Sequence, residues 1–318
     1  MSSAALLEVE DLTLHRGGNR ILDHVTLSLA PGETLALVGE SGAGKSTIAT
    51  ALMGLLGPKD ARIEGHARLE GQGELLGMPE RRWSKLRGRR LSMIFQDAGS
   101  ALNPCFTVGR QLVTVLRRNL GLSRTAARAR ALELFERVGI NDAEARLSAY
   151  PHQLSGGMQQ RVMVAIALAC NPDLLFADEP TSALDVTIQA QIIRLILDET
   201  RTRGASCIFV LHDLALASQS CDRIVVLYAG QVVESGVTAE ILEAPRHPYT
   251  AQLKSCVLEI GTRDLDPPEG SVGSYAAMPK GCRFARRCPR ALPRCAEERP
   301  PLVPAPDGDR ALACWNPL

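Results

Sequence analysis

Gly39-Glu40-Ser41-Gly42-Ala43-Gly44-Lys45-Ser46-Thr47 is the stretch that decides the fold. It follows Thr34 to Val38, a short apolar run that reads as a buried strand. It leads into Gly44 to Leu56, whose composition is helical and which Gly57-Pro58 closes. A strand, a glycine-rich turn ending in Gly-Lys-Ser and a helix, in that order, make a cradle for phosphate. The glycines let the backbone curl so that several N–H groups converge on phosphate oxygens, at a helix N-terminus that already favours anions. Lys45 supplies a point charge to the β- and γ-phosphates of a nucleotide, and Ser46 a hydroxyl ligand for Mg²⁺.

Working outward, Leu174-Leu175-Phe176-Ala177-Asp178-Glu179 is an apolar strand ending in two carboxylates. Asp178, at the strand end, suits the Mg²⁺ shell that such enzymes hold with an acid, and Glu179 is placed to polarise an attacking water. Cys207 to Leu211 is another buried strand. Residues 6–14 alternate apolar and polar, the period of a half-buried strand, and Ser123 is expected to cap a helix presenting Leu132, Phe135 and Val138 on one face, with Gly139 as its stop. Ile224–Leu227 and Gln231–Val233 flank Ala229-Gly230 as a hairpin. Strand–helix alternation with interior strands apolar on both faces predicts a mostly parallel sheet covered by helices.

Leu154-Ser155-Gly156-Gly157-Met158-Gln159-Gln160-Arg161, between the loop and the acidic pair, resembles the signature motif of ATP-binding-cassette (ABC) ATPases. Ser155 can cap the helix that follows, and the two glycines let a phosphate approach its exposed N–H groups. Gln96, after Met93-Ile94-Phe95, resembles the family's Q-loop glutamine. Ser182-Ala183-Leu184-Asp185 resembles its D-loop, and His212, after Leu211, its H-loop histidine. The resemblance covers residues 6–240. It implies an α/β fold with a P-loop NTPase (RecA-like) core, an antiparallel β subdomain and an α-helical subdomain over about 97–160. It also implies that two such domains pack head to tail, so that ATP on one loop is covered by Ser155, Gly156, Gly157 and Gln159 of the other. Glu179 is then the general base, His212 contacts the γ-phosphate, and Ser46, Gln96 and Asp178 surround Mg²⁺. Where the family stacks adenine on an aromatic residue, this chain has Arg16 beside His15; a guanidinium or an imidazole can also stack on a base.

Beyond residue 240 the composition changes, and residues 279–318 hold eight prolines with almost no periodic apolar pattern. The expected division is 1–240 for the ATPase domain and 241–318 for an extension. Cys282-x5-Cys288-x6-Cys295-x18-Cys314 follows His247-Pro248-Tyr249-Thr250, a pairing similar to the extension of ATPase subunits from dipeptide and oligopeptide importers. Thiols clustered in a coreless, proline-rich segment point to metal rather than disulfides. The resemblance implies a 4Fe-4S cluster on the four cysteines, with Zn²⁺ the alternative, and Arg283, Arg286 and Arg287 are expected to offset the thiolate charge. The other cysteines, Cys105, Cys170, Cys207, Cys221 and Cys256, are scattered singly and read as buried or incidental thiols.

A net charge of +1 gives no sign of a nucleic-acid partner, and no run approaches the ~20 apolar residues that span a bilayer. The N-terminus lacks the basic start and apolar run of a secretory signal. The resemblance implies a peripheral protein on the cytoplasmic face of the inner membrane. The partners implied are two membrane permease subunits, a second and homologous ABC ATPase, and an extracytoplasmic solute-binding protein. The alternatives are an importer ATPase for nickel or another small solute, and a soluble ABC ATPase without a membrane partner. Tandem cassettes or a long coiled-coil insertion would accompany the latter, and the chain has neither.

Overall fold

The computed structural model describes residues 5–181, 186–255, 275, 278–304 and 310–318. They form two compact units, one from Met1–Met78 with Phe209–Leu318, the other from Pro79–Ile208.

The first unit opens with β1 (Leu7–Arg16) and β2 (Asn19–Leu29), joined at Gly17-Gly18, where both residues have positive φ. Leu7 and Val9 are buried while Glu8 and Glu10 face solvent, as the alternation predicts. Next come β3 (Thr34–Val38), buried along its whole length, α1 (Lys45–Leu52), β4 (Arg62–Leu69) and β5 (Gly73–Glu74). Helix α1 is shorter than the composition suggests. It stops at Leu52 because the chain turns at Gly54, which takes a φ of +60°. Strands β2-β1-β4-β5 make an antiparallel sheet.

The second unit begins with α2 (Glu80–Leu86), β6 (Leu91–Ile94) and the short α3 (Ala98–Ala101). Helices α4 (Val108–Leu120), α5 (Arg124–Arg137), α6 (Ala143–Arg146) and α7 (Gly156–Leu168) follow. Ser123 caps α5 as expected, its hydroxyl accepting the Ala126 N–H. The buried face of α5 is Ala127, Ala131, Leu134 and Phe135, continued by Val138, while Leu132 is only half-buried. Positions 131, 134, 135 and 138 follow the helical i, i+3, i+4, i+7 spacing, which Leu132 does not share. Strand β7 (Leu174–Asp178) runs parallel to β6, and α8 (Val186–Arg203) follows.

The chain returns to the first unit within β8 (Ser206–Leu211) and continues through α9 (Leu214–Ser220), β9 (Arg223–Tyr228) and β10 (Gln231–Val237). The β9–β10 hairpin turns on Ala229 and Gly230, with φ of +46° and +83°, the two-residue turn that suits strand twist. Strand β9 lies parallel to β3. Then come α10 (Thr238–Glu243), α11 (Pro248–Ser255), α12 (Pro293–Glu297), β11 (Val303–Pro304) and β12 (Ala311–Leu312). Here β12 adds to β10 through Glu234↔Leu312, so the proline-rich C-terminal residues are tied into this unit's sheet, in the order β11-β12-β10-β9-β3.

Candidate functional site

The glycine-rich loop joins β3 to α1. Gly39 has a φ of +149°, and a Cβ there would collide with the Leu227 carbonyl oxygen on β9, so the position admits only glycine. Lys45 is 4% exposed, and its ammonium donates to the carbonyls of Gly39 (2.8 Å) and Glu40 (3.0 Å), with His212 Nδ1 at 3.3 Å. Ser46 lies in the first turn of α1, half-buried, next to Thr47. His212, just past β8, is exposed, and Arg16 sits exposed at the end of β1.

The back of this loop is held by residues far along the chain. The Glu40 N–H donates to the Tyr249 hydroxyl (2.9 Å), and both Glu40 carboxylate oxygens accept from Arg287 (2.9 and 3.0 Å). Tyr275 donates its hydroxyl to the Gly42 carbonyl, and the Gly230 N–H donates to that of Ala43 (2.8 Å). Behind them Tyr228, Tyr249, Phe284 and His247 form an aromatic cluster with centroid separations of 4.7 to 5.8 Å. Burial keeps the His247 imidazole neutral, its pKa brought down to about 3, so its Nδ1 accepts the Tyr249 N–H. Burial opposes the charge of Arg287, but hydrogen bonds to Glu40 and Tyr228 outweigh it and raise the pKa above the usual guanidinium value. In the sequence Tyr249 stands only within a family motif, and Arg287 is expected to offset thiolate charge rather than to hold the loop.

In the second unit Asp178 is buried at the end of β7, and Glu179 follows with a φ of +43°, a left-handed conformation rare for a residue with a side chain. Gln96, just past β6, donates its amide to Glu179 Oε2 at 2.7 Å. The parallel pairing of β6 with β7 is what brings these two side chains together. Ser155 caps α7, accepting the Met158 N–H at 3.4 Å, and leaves Gly156 and Gly157 at the open end of the helix. Gln159, expected to face a partner's nucleotide, donates instead to the carbonyls of Pro151 (2.9 Å) and Leu154 (3.2 Å), which steadies its own loop. Gln160 donates to the Pro180 carbonyl at 2.5 Å, joining α7 to the turn after Glu179. Asp185 and the rest of Ser182–Asp185 lie outside the described residues.

Cys282, Cys288, Cys295 and Cys314 line one small pocket with His247, Phe284 and Trp315. Burial pushes the Cys282 thiol up to about 12, and the neighbouring cysteines add to the rise; burial also raises Cys288 and Cys314. Burial by itself thus favours the neutral thiol at all three. Among the described residues no group of three or more His, Cys, Asp or Glu side chains is gathered closely enough for one metal ion. The expected charge balance also differs. Arg283 is turned to the carbonyls of Ala229 and Arg20 and to Asp23, Arg287 to Glu40, and Arg286 is exposed. Tight turns, closed by the Ala285 N–H on the Cys282 carbonyl and the Arg287 N–H on that of Phe284, shape the segment that carries them. Backbone hydrogen bonds from Arg290 to Cys288 and from Asn316 to Cys314, with the Arg290 charge, work against the rise that burial causes. Of the scattered cysteines, Cys170, Cys207 and Cys221 are buried as expected, Cys105 is exposed, and Cys256 lies outside the described residues.

The chain matches the family model "ABC transporter" over residues 22–182 and "Oligopeptide/dipeptide transporter, C-terminal region" over 233–295. It is 43% identical over 320 residues to the dipeptide transport ATP-binding protein DppD of Escherichia coli (strain K12), covering 99% of this chain and 97% of that protein. It is 42% identical over 319 residues to the oligopeptide transport ATP-binding protein AppD of Bacillus subtilis (strain 168), covering 98% and 97%. Among solved structures, it is similar to a dimeric post-hydrolysis state of the ATP-binding cassette MJ0796 bound to ADP and Pi. The TM-score is 0.65 and the identity 28%, with 73% of this chain and 98% of that one covered. CbiO1 from Clostridium perfringens, part of the ABC transporter complex cbiONQ, gives a TM-score of 0.64 at 26% identity, covering 75% and 91%.

Proposed function

The chain belongs to the ABC transporter family, with the P-loop NTPase fold and the ATPase activity of that family, and we propose that it powers an importer of dipeptides and oligopeptides. The observation that carries the substrate class is the joining of a complete nucleotide loop to the C-terminal region matched at 233–295. Importer ATPases for nickel or other small solutes are the competing reading. Uptake of labelled dipeptide against nickel ion by the assembled transporter decides between them, and nickel uptake without dipeptide uptake would overturn the peptide assignment.

The catalytic reading assigns each residue a task. Lys45 leaves the Gly39 and Glu40 carbonyls for the β- and γ-phosphates, and the backbone N–H groups from Ser41 to Thr47 accommodate the remaining phosphate oxygens. Arg16 stacks on the adenine. Mg²⁺ neutralises charge on the β- and γ-oxygens when bound, and Ser46, Gln96 and Asp178 are oxygen donors of the kind it prefers. Glu179 takes the proton of the attacking water, and the Gln96 amide orients its carboxylate. His212 donates to the γ-phosphate. Ser155, Gly156 and Gly157 cover the ATP of a second ATPase, a homologous subunit, with Gln159 holding the turn before them through the Pro151 and Leu154 carbonyls. Catalysis is then positioning plus charge stabilisation.

Two permease subunits and an extracytoplasmic solute-binding protein complete the assembly. No helix of the described residues is long and apolar enough to cross a membrane. The permeases, implied by the likeness to transport ATP-binding proteins, hold the chain peripherally on the cytoplasmic face of the inner membrane.

The four cysteines are assigned to a 4Fe-4S cluster. Support comes from the donor set and from the convergence of all four on one pocket. A single Zn²⁺ at ~2.3 Å from each sulfur would require a tight tetrahedron of thiolates, whereas Cys₄ is the usual ligand set of a cluster. Ligation deprotonates the thiols, so loading releases protons and is favoured by rising pH. Protein purified without oxygen is expected to be brown, with about four irons per chain, and to lose colour in Cys282→Ser or Cys295→Ser. Stoichiometric zinc in colourless protein would contradict the cluster.

A further inference from the structure

The nucleotide loop of this chain is braced from behind by its own C-terminal residues, and nothing in the catalytic reading uses that brace. Glu40, the second residue of the loop, is fixed at three points. Its N–H goes to Tyr249, its carbonyl accepts from Lys45 and from the Ala43 N–H (3.1 Å), and its carboxylate takes both arms of Arg287. The side chains of Arg287 and Glu40 are only 12% and 22% exposed, so this is a shielded, two-pronged pair rather than a screened surface contact. Arg287 is itself held by the Tyr228 hydroxyl at 3.2 Å and lies over the rings of Tyr228 and Phe284. A second arm of the same segment, Arg283, donates to the Ala229 carbonyl, and the adjoining Gly230 N–H holds the Ala43 carbonyl.

We propose that Arg287 and Tyr249 are positioning residues for ATP binding. They fix the Glu40 peptide in the curled conformation that aims the loop's N–H groups, and Arg287 cancels the charge of a carboxylate that would otherwise face the triphosphate. The proposal rests on the reading of 39–47 as the nucleotide loop. The logic is electrostatic as well as geometric. An acidic side chain in a phosphate-binding loop opposes its ligand, and a bidentate guanidinium removes that opposition while locking the backbone. The extension thereby becomes part of the nucleotide site, although it contributes no atom to the nucleotide.

The test measures trinitrophenyl-ATP binding, displaced by MgATP, on the full-length chain, together with thermal melting with and without nucleotide. Wild-type protein that binds no nucleotide would defeat the loop assignment itself, before any variant is made. Given wild-type binding, Arg287→Ala is expected to raise the Kd roughly 10- to 100-fold, the range of a lost charge-assisted pair. Arg287→Lys should fall between, keeping charge but not the fork, and Tyr249→Phe should weaken binding while keeping the ring. Glu40→Gln placed on Arg287→Ala should recover part of the affinity, because it removes the unopposed charge. In the assembled transporter the KM for ATP should rise with kcat little changed. A purely structural brace would instead lower the melting temperature of nucleotide-free protein and leave the Kd and the ATP-induced shift as in wild type. That outcome in Arg287→Lys and Tyr249→Phe, the two variants least prone to misfold, would overturn the proposal.

Discussion

Glu179→Gln is expected to keep ATP bound and to lower turnover by about 10²- to 10⁴-fold, the usual worth of a general base. The substitution is close to isosteric. Gln96 donates to Glu179 Oε2, and the amide oxygen of a glutamine at 179 can accept the same hydrogen bond. The backbone there already holds a φ of +43°, and glutamine bears that conformation no worse than glutamate. What disappears is a group able to take a proton from water. Nucleotide affinity should stay within a few-fold of wild type, because Glu179 is assigned to the water rather than to the phosphates. ATP binding and steady-state phosphate release, measured on the assembled transporter, separate the two effects. Hydrolysis at the wild-type rate would remove Glu179 from its role.

Ser155→Arg is expected to abolish hydrolysis at the loop of the partner ATPase while leaving the variant's own loop competent. Losing the cap on α7 costs only about 1 kcal/mol, a modest price for a helix whose far end is deeply buried. The larger effect is steric. Gly156 and Gly157 leave the open end of α7 clear, and a long cationic side chain at 155 would occupy the space a bound phosphate needs. In a heterodimer the two loops can be disabled one at a time by Lys-to-Ala changes, so the surviving activity can be assigned. Loss confined to the variant's own loop would contradict head-to-tail packing.

The parts of the site that were legible in the sequence are those whose signals are local. Gly39–Thr47 sits between a strand and a helix, Ser123 and Ser155 cap the helices they precede, and Ala229-Gly230 turns a hairpin. In each case composition and structure are only a few residues apart, and the physics that selects the residue acts over that same distance. The brace on the loop was not legible, because Glu40 and Arg287 are 247 positions apart and neither neighbourhood points to the other. Arg287 was assigned to the cysteines beside it. Sequence adjacency misled there, since the Arg287 guanidinium pairs with the Glu40 carboxylate far along the chain. Gln159 shows the same limit. Its place in the signature suggested a nucleotide contact, whereas its amide serves the two carbonyls that shape the turn before α7.

Uptake of a labelled dipeptide into vesicles carrying the permeases, both ATPases and the solute-binding protein tests most directly whether this chain's ATP cycle drives import. With the wild-type chain, uptake should require ATP on the face where the ATPases sit and should be stimulated by the loaded binding protein. With Glu179→Gln in its place, ATP should still bind and uptake should fall with hydrolysis. Dipeptide accumulation at the wild-type rate in vesicles carrying that variant would contradict the account.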